Sequence, residues 1–474
     1  MNRTTTNSRR PLLGTYQRHY NPSLAIMLRA GRCPLEETAR GHYIIDERGH
    51  RYLDFSAGYG VFGLGHLDPD VQRAAQRQLA ALAAVPPATR TEARERLREL
   101  LVQLAPGDLD RVVLTGSGSE STEVAQRIVG LARPGRTSTV AVTTGYHGKT
   151  LGAMAVLGQQ HLTAPFLDTD ASTRFVPFGD LAAIDAAIDT DVAAVYLEPV
   201  VGGGYVTVPP AGYLATVARL CAERGALLVV DEVQTGFGRT GTLFGVEHDA
   251  VVPDILLVSK AMSGGHVPMS AVIVRARAYA EACESTGGAL PFDTEMGDSP
   301  LACAAATAAI EKIVREDLAG NAARLGTYLL ARLRAVAEKY PKLVRDVDGR
   351  GLMTGVKVAS PLVEQAIWLQ MIRHGVMTGI SMNTVAENPA LRIFPPLTVG
   401  AEEIDVMVAA LDASLAELSR YPAVCYRVLN HLMRIQYHLP QWFLTYGADV
   451  LASRRSVWRA RPPAPRSPVA FLTD

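Results

Sequence analysis

Lysine is scarce in this chain, six residues against 41 arginines among 474. One of the six, Lys260, stands at the end of the apolar run ILLVS (255–259) and is followed by AMSGG. A charged ammonium at the mouth of a buried strand costs desolvation energy unless something pairs with it or uses it. A lysine that snorkels out at a strand end is the ordinary reading. Amine chemistry, which arginine cannot supply, is the sharper one. Other reactive groups sit at similar places. Asp231 and Glu232 follow ALLVV (226–230), and Glu198 follows AAVYL (193–197). The loop TGSGSEST (115–122) follows RVVL and opens a helical pattern. Such a loop offers backbone N–H groups, hydroxyls and a helix N-terminus, the make-up of a phosphate site. A second loop, GYHGKT (145–150), has a P-loop look, but Thr143 stands where that motif needs its first glycine. Nucleotide hydrolysis is therefore set aside.

A phosphate cup, a buried carboxylate and an amine at neighbouring strand ends suit one cofactor, pyridoxal 5′-phosphate (PLP). PLP takes a lysine for its Schiff base and a carboxylate to keep its pyridine nitrogen protonated. Lys260 and Asp231 fill those two places, 29 residues apart on successive strands. Taken singly, Asp231 could be a turn cap and Lys260 a surface lysine; the pair makes that less economical.

These groups need a scaffold that lines up strand ends. From about residue 95 to 275 short β-branched runs alternate with helical patterns: RVVLT, STVAVT, AAVYLEP, ALLVVDE, DILLVSK and SAVIV. Runs apolar at every position, such as LLVV and ILLV, are expected of strands covered on both faces. The expected fold is α/β, with a mostly parallel central sheet whose strand ends carry the ligand. Two helical patterns follow over 300–340, and residues 344–420 mix strands and helices as a smaller α+β domain. The expected layout is an N-terminal arm or segment at 1–65 that joins the small domain, a large domain at 66–320, a small domain at 321–420 and an extension at 421–474. A long helix near 300–320 is expected to join the two domains. In the extension, Val424, Val428, Leu432 and Ile435 fall on one helical face before a basic, proline-rich end.

Composition excludes other classes. Apolar residues make up 48%, charged residues 20%, and the formal net charge is zero, so nothing points to nucleic acid or an anionic membrane. The five cysteines, Cys33, Cys221, Cys283, Cys303 and Cys425, are scattered. They form no CxxC or Cys/His cluster, so no metal is expected, and they read as reduced thiols of a cytoplasmic protein. No run of 18 apolar residues exists for a membrane span. The N-terminal MNRTTTNSRRPLL lacks a secretory hydrophobic stretch and reads as an arm.

With these residues in place, the sequence resembles the class III (ornithine/GABA/putrescine-type, omega) aminotransferases of PLP fold type I. DEVQTGFGRTG (231–241) followed by PDILLVSKAMSGG (253–265) carries the likeness most specifically. YLDFSAGYGVFGLGHLDP (52–69), SGSES (117–121), GYHGKTLGA (145–153), LEPVVGGG (197–204) and LRIFPPLTV (391–399) extend it over roughly residues 20–420. The general look is nearest to the diamine branch. The resemblance implies that Lys260 carries the cofactor and shuttles a proton, and that Asp231 pairs with the pyridine nitrogen. It implies that Gly118 and Ser119 hold the phosphate, and that Tyr146 and Val233 cover the two ring faces. Gln234 would reach the ring hydroxyl, and His147 and Thr294 complete the cofactor set. Tyr59, Lys149, Glu198 and Arg392 would line the substrate, Arg392 as a fork for its carboxylate. A homodimer with shared active sites is implied as well.

The departures bear on substrate. Where the family usually shows EPIQGEGG, Gly203 replaces the second glutamate, the group that neutralises the carboxylate arginine in ornithine- and GABA-type members. Either both half-reactions use carboxylate substrates or another acid masks Arg392. Near FDTEMGDSP (292–300), Glu295 falls on the threonine that reaches the neighbouring subunit's phosphate; Thr294 takes over, or Glu295 points elsewhere. Lys149 stands where ornithine-type members carry an arginine. The expected activity is amino-group transfer between an amino acid or (di)amine and an oxo acid or aldehyde. Epimerisation, decarboxylation or aminomutase chemistry on the same residues is the alternative, as is a catalytically silent binding protein.

Overall fold

The computed structural model describes residues 9–21, 24–25, 28, 33–86, 89–159, 163, 166, 172–288, 297–381 and 388–421. Thr294, Glu295 and the extension beyond 421 lie outside the described residues.

Three short strands come first, β1 (Glu36–Arg40), β2 (Tyr43–Asp46) and β3 (Arg51–Asp54). The central sheet follows: β4 (Leu109–Thr115), β5 (Ser138–Val142), β6 (Thr173–Val176), β7 (Val192–Leu197), β8 (Leu227–Asp231), β9 (Ile255–Val258) and β10 (Ser270–Arg275). Every residue of β7, β8 and β9 is buried, as unbroken apolar runs require of strands covered on both faces. Their order is β4-β10-β9-β8-β7-β5-β6. β5 through β9 pair in parallel, while β10 runs antiparallel to both its neighbours.

The expected strands are present, and β6 is added at the edge. Its sequence, TRFV, is only partly buried and carries no apolar run. The helix α1 (Gly118–Ala132) is the one that the TGSGSEST loop opens. Crossing back over the sheet, α2 (Tyr213–Arg224) ends on Gly225 at φ 73°, a left-handed cap that glycine adopts cheaply.

Two helices, α3 (Pro300–Arg315) and α4 (Leu318–Lys339), lead away from the sheet. They do not merge into one long helix: Asp317 sits at φ 46° and caps α4 through the Gly320 N–H. Beyond them come β11 (Val344–Arg350), β12 (Met353–Val358), α5 (Pro361–Arg373), β13 (Val376–Met377), β14 (Ala390–Ile393) and α6 (Ala401–Ser419). β11, β12 and β14 form a second sheet, antiparallel throughout. β13 pairs in parallel with β3, so the early strands are built onto the late part of the chain. No helix among the described residues is long and apolar enough to cross a membrane.

Candidate active site

Asp231 is the last residue of β8, and Lys260 follows β9 by two. The two strands are hydrogen-bonded neighbours, Asp231 pairing with Leu257, so one sheet edge presents both groups. Lys260 takes φ 37°, a left-handed conformation that costs a non-glycine residue on the order of 1–3 kcal/mol. No hydrogen bond or ion pair among the described residues holds its amine. Burial first, and Arg392 second, bring the Lys260 pKa down to about 7, against the pull of Asp231 and Glu198. Gly60 approaches the same side chain, for a Cβ there would stand 4.0 Å from Lys260 Cδ.

Asp231 is 5% exposed. Its Oδ2 lies 2.8 Å from His147 Nδ1, and its Oδ1 accepts the Val233 N–H at 2.9 Å. Burial works against a charge on His147, but the bond to Asp231 and its charge override it and raise the imidazole pKa. Glu198 is buried too, and accepts the Tyr146 N–H at 2.9 Å. Burial lifts its carboxyl to about 7, with the His147 charge pulling the other way. Glu198, expected among the substrate-lining residues, thus also positions the Tyr146 backbone. Glu232, next to Asp231, serves its own loop: it accepts from Thr235 Oγ1 at 2.5 Å and from the N–H groups of Gly245 and Val246, each at 2.8 Å.

The N-terminus of α1 supplies the proposed phosphate cup. Ser117 caps it, accepting the Glu120 N–H at 3.3 Å. Gly118 and Ser119 occupy the first two helical positions, whose N–H groups have no intrahelical acceptor. A Cβ on Gly118 would stand 3.1 Å from Val233 Cγ2, so glycine keeps this approach open. One residue the sequence reading did not single out enters here: Glu120 accepts the Gly116 N–H at 2.7 Å and takes that donor out of the cup. Thr122 is another, its hydroxyl donating to His147 O at 2.8 Å. Beneath them a buried hydroxyl chain links Thr115, Ser121 and Ser270, with 2.6 Å steps, and ends on Val258 O. It ties the cup to the strand that carries Lys260.

Arg392 on β14 is 8% exposed. Its guanidinium stacks on the Tyr59 ring, 4.1 Å from the centroid. Tyr59 is itself pinned to Ile380, its hydroxyl donating to the carbonyl at 3.2 Å and accepting the N–H at 3.3 Å. Ala57, Gly58, Tyr59 and Gly60 all have positive φ. That left-handed turn, held by Asp54 Oδ1 accepting from the N–H groups of Ser56 and Ala57, swings Tyr59 over Arg392. Lys149 stands apart: it is exposed, and its N–H reaches Ser119 Oγ at 3.4 Å. Gln234 Oε1 is buried and has no partner among the described residues.

These residues fit PLP on the chain's own geometry: a strained, uncharged-leaning amine, a carboxylate locked by an imidazole, open helix N–H groups, and an unmatched buried acceptor on Gln234. Fold and site together define a PLP enzyme of fold type I. The aminotransferase class-III family model matches residues 31–415, and the chain belongs to that family. It is similar to the ornithine aminotransferase of Toxoplasma gondii at 28% identity, with 87% of this chain and 96% of that one covered and a TM-score of 0.79. An amine transaminase from an uncultivated Pseudomonas species, solved in its PLP-bound form, is 29% identical over 81% of this chain and 95% of its own, with a TM-score of 0.74. The ornithine δ-aminotransferase of Plasmodium falciparum is 26% identical over 81% and 93%, with a TM-score of 0.69. The protein is a PLP-dependent aminotransferase, moving an amino group from an amino acid or amine donor to an oxo acceptor.

Proposed function

We propose that Lys260 and Asp231 are the catalytic pair of this aminotransferase, and that the strained, unpartnered amine of Lys260 beside the Asp231–His147 bond is the observation that carries the assignment. Bound PLP supplies an electron sink for the carbon that carries the amino nitrogen. The residues do the rest. An amine with a pKa near 7 is substantially neutral at neutral pH, which suits Lys260 both to bond a carbonyl carbon and to take up and return a proton. Asp231, oriented by its bond to His147, would hold the ring nitrogen protonated. Gly118 and Ser119 would hold the phosphate, with Thr294 as a further contact. Tyr146 and Val233 would enclose the ring, and Gln234 would receive the ring hydroxyl. On the substrate side, Arg392, steadied by Tyr59, would take a carboxylate, with Glu198 as a further contact and Lys149 reaching the substrate only from its exposed position.

The same reading takes the chain to be a cytoplasmic homodimer with shared sites. Residues 1–65 and 321–420 would act as a small domain beside a large domain at 66–320. The family resemblance supports this. Purified holoenzyme incubated with single amino donors tests the reaction. Transamination leaves the aminated cofactor on the protein when no acceptor is added. Racemised donor with unchanged cofactor would point to epimerisation instead.

A further inference from the structure

Tyr59 reaches Arg392 from the crest of a loop whose two ends are fastened to each other. Asp54 closes β3, and His66 stands twelve residues further on, its Nε2 2.8 Å from Asp54 Oδ2 with both side chains buried. The neck of the loop is also pinned to one stretch of backbone. Asp54 N–H donates to His42 O at 2.8 Å, while His66 and Gly41 exchange N–H bonds at 2.7 and 2.9 Å. The other carboxylate oxygen, Asp54 Oδ1, accepts the Ser56 hydroxyl at 2.6 Å and the Ser56 and Ala57 N–H groups at 2.9 and 3.0 Å. One carboxylate thus meets the end of the loop with one oxygen and its start with the other.

That start is where the backbone is least at ease. Ala57 and Tyr59 take φ 36° and 58°, a region that non-glycine residues keep only when their surroundings over-determine it. Asp54 supplies the constraint, and His66 keeps Asp54 aimed. The crest is fitted closely as well. A Cβ on Gly379 would stand 2.5 Å from Tyr59 Cε1, so the phenol ring lies against the Gly379 backbone while it carries the Arg392 guanidinium. Gly379 and Arg392 in turn exchange backbone bonds at 2.9 and 2.8 Å. A turn that relaxes at Ala57 therefore moves a ring with no slack beside Gly379.

We propose that Asp54 and His66 are a positioning pair for amino transfer: their bond holds the left-handed turn at 57–60, the turn holds Tyr59, and Tyr59 holds Arg392 for the substrate. The inference deepens the substrate-side reading given above and rests on it. The stretch of the loop beside Lys260 has anchors of its own. Gly63 O accepts the Leu397 N–H at 2.7 Å, and the Phe62 ring fills the place of a Cβ on Gly265, which would stand 2.4 Å from Phe62 Cδ1. Loss of the His66–Asp54 bond is therefore felt in substrate binding before it is felt at the amine.

The test reads the first half-reaction of the holoenzyme by cofactor absorbance in stopped flow, with whichever of ornithine, lysine, alanine and glutamate reacts fastest. It yields a half-saturating concentration and a limiting rate. His66→Leu fills the space but loses the N–H. It is expected to raise the half-saturating concentration about three- to tenfold and to change the limiting rate by less than about twofold. His66→Gln, whose amide can reach Asp54, should recover most of the loss. In a Tyr59→Ala background the same His66→Leu change should add less than about twofold, because the pair has nothing left to position. Where His66→Leu yields no folded protein, His66→Asn, too short to reach Asp54, carries the same expectations. Wild-type half-saturation in His66→Leu, a loss confined to the limiting rate, or an equal penalty with and without Tyr59 overturns the proposal and leaves the reading of Arg392 standing. A Tyr59→Ala variant that half-saturates as wild type does sinks that reading and this inference with it.

Discussion

His147 Nδ1 lies 2.8 Å from Asp231 Oδ2, with both side chains buried. This bond does for the acid what the sheet does for its backbone: it fixes one oxygen while Val233 N–H fixes the other. A charge-assisted bond of this kind is worth about 1.5–3 kcal/mol. His147→Ala is therefore expected to weaken PLP retention by roughly ten- to a hundredfold. Cofactor release followed by absorbance after dilution gives the number. Unchanged retention would mean that the imidazole plays no part in holding the acid.

Lys260 makes a pH prediction for the apoprotein. Its folded pKa, about 7, is below the ordinary lysine value of 10.5. Between those values the unfolded chain binds a proton that the folded chain refuses, so stability rises with pH across that window. Lys260→Met removes the effect. The variant should melt higher than wild type at pH 7, and the difference should shrink as pH approaches 10. Parallel Tm curves over this range would show that the amine is not desolvated.

Arg239 ties two distant parts of the chain together. It is 1% exposed, and its Nη1 donates to Leu352 O at 3.0 Å and Pro395 O at 2.6 Å, while Leu352 N returns a bond to Arg239 O. Burial pulls its pKa down to about 9. Arg239→Met keeps the volume but strands two buried carbonyls, at a cost of about 1–3 kcal/mol each. Urea unfolding of the apoprotein should show a loss of that size, with Arg239→Lys recovering part of it. A variant as stable as wild type would show that these carbonyls find other donors.

Tyr59 has two contributions that substitution can separate. Tyr59→Phe keeps the ring on Arg392 and loses the hydroxyl bonds to Ile380, a change of about 0.5–1.5 kcal/mol. Tyr59→Ala also loses the stacking, adding up to about 2 kcal/mol. KM for a carboxylate donor should rise modestly in the first and about tenfold or more in the second. Equal KM values for the two variants would show that the ring contributes nothing to Arg392.

The reading of these residues from sequence succeeded where local pattern carries the physics. LLVV and ILLV are strands because nothing polar interrupts them, and an acid and an amine at their ends stand out against that background. It missed what depends on distant partners. The reversed direction of β10 has no local mark. The two helical patterns expected over 300–340 are present as α3 and α4, but the residue that parts them, Asp317, carries no glycine-like mark for its left-handed turn. Tyr59 was assigned to the substrate side by resemblance, but the turn through Ala57–Gly60 that aims it is set by Asp54. Gly203 read as a missing acid; its steric cause, Tyr146 Cβ, shows in three dimensions alone.

The central claim is that the amine of Lys260 is the group bonded to PLP. Holoenzyme reduced with borohydride and digested, with the peptides sequenced by mass spectrometry, tests it most directly. The account predicts a phosphopyridoxyl mass on the peptide that contains Lys260, and none once an excess of reactive amino donor is added before reduction. A stable adduct on another lysine, with Lys260 unmodified, would contradict it.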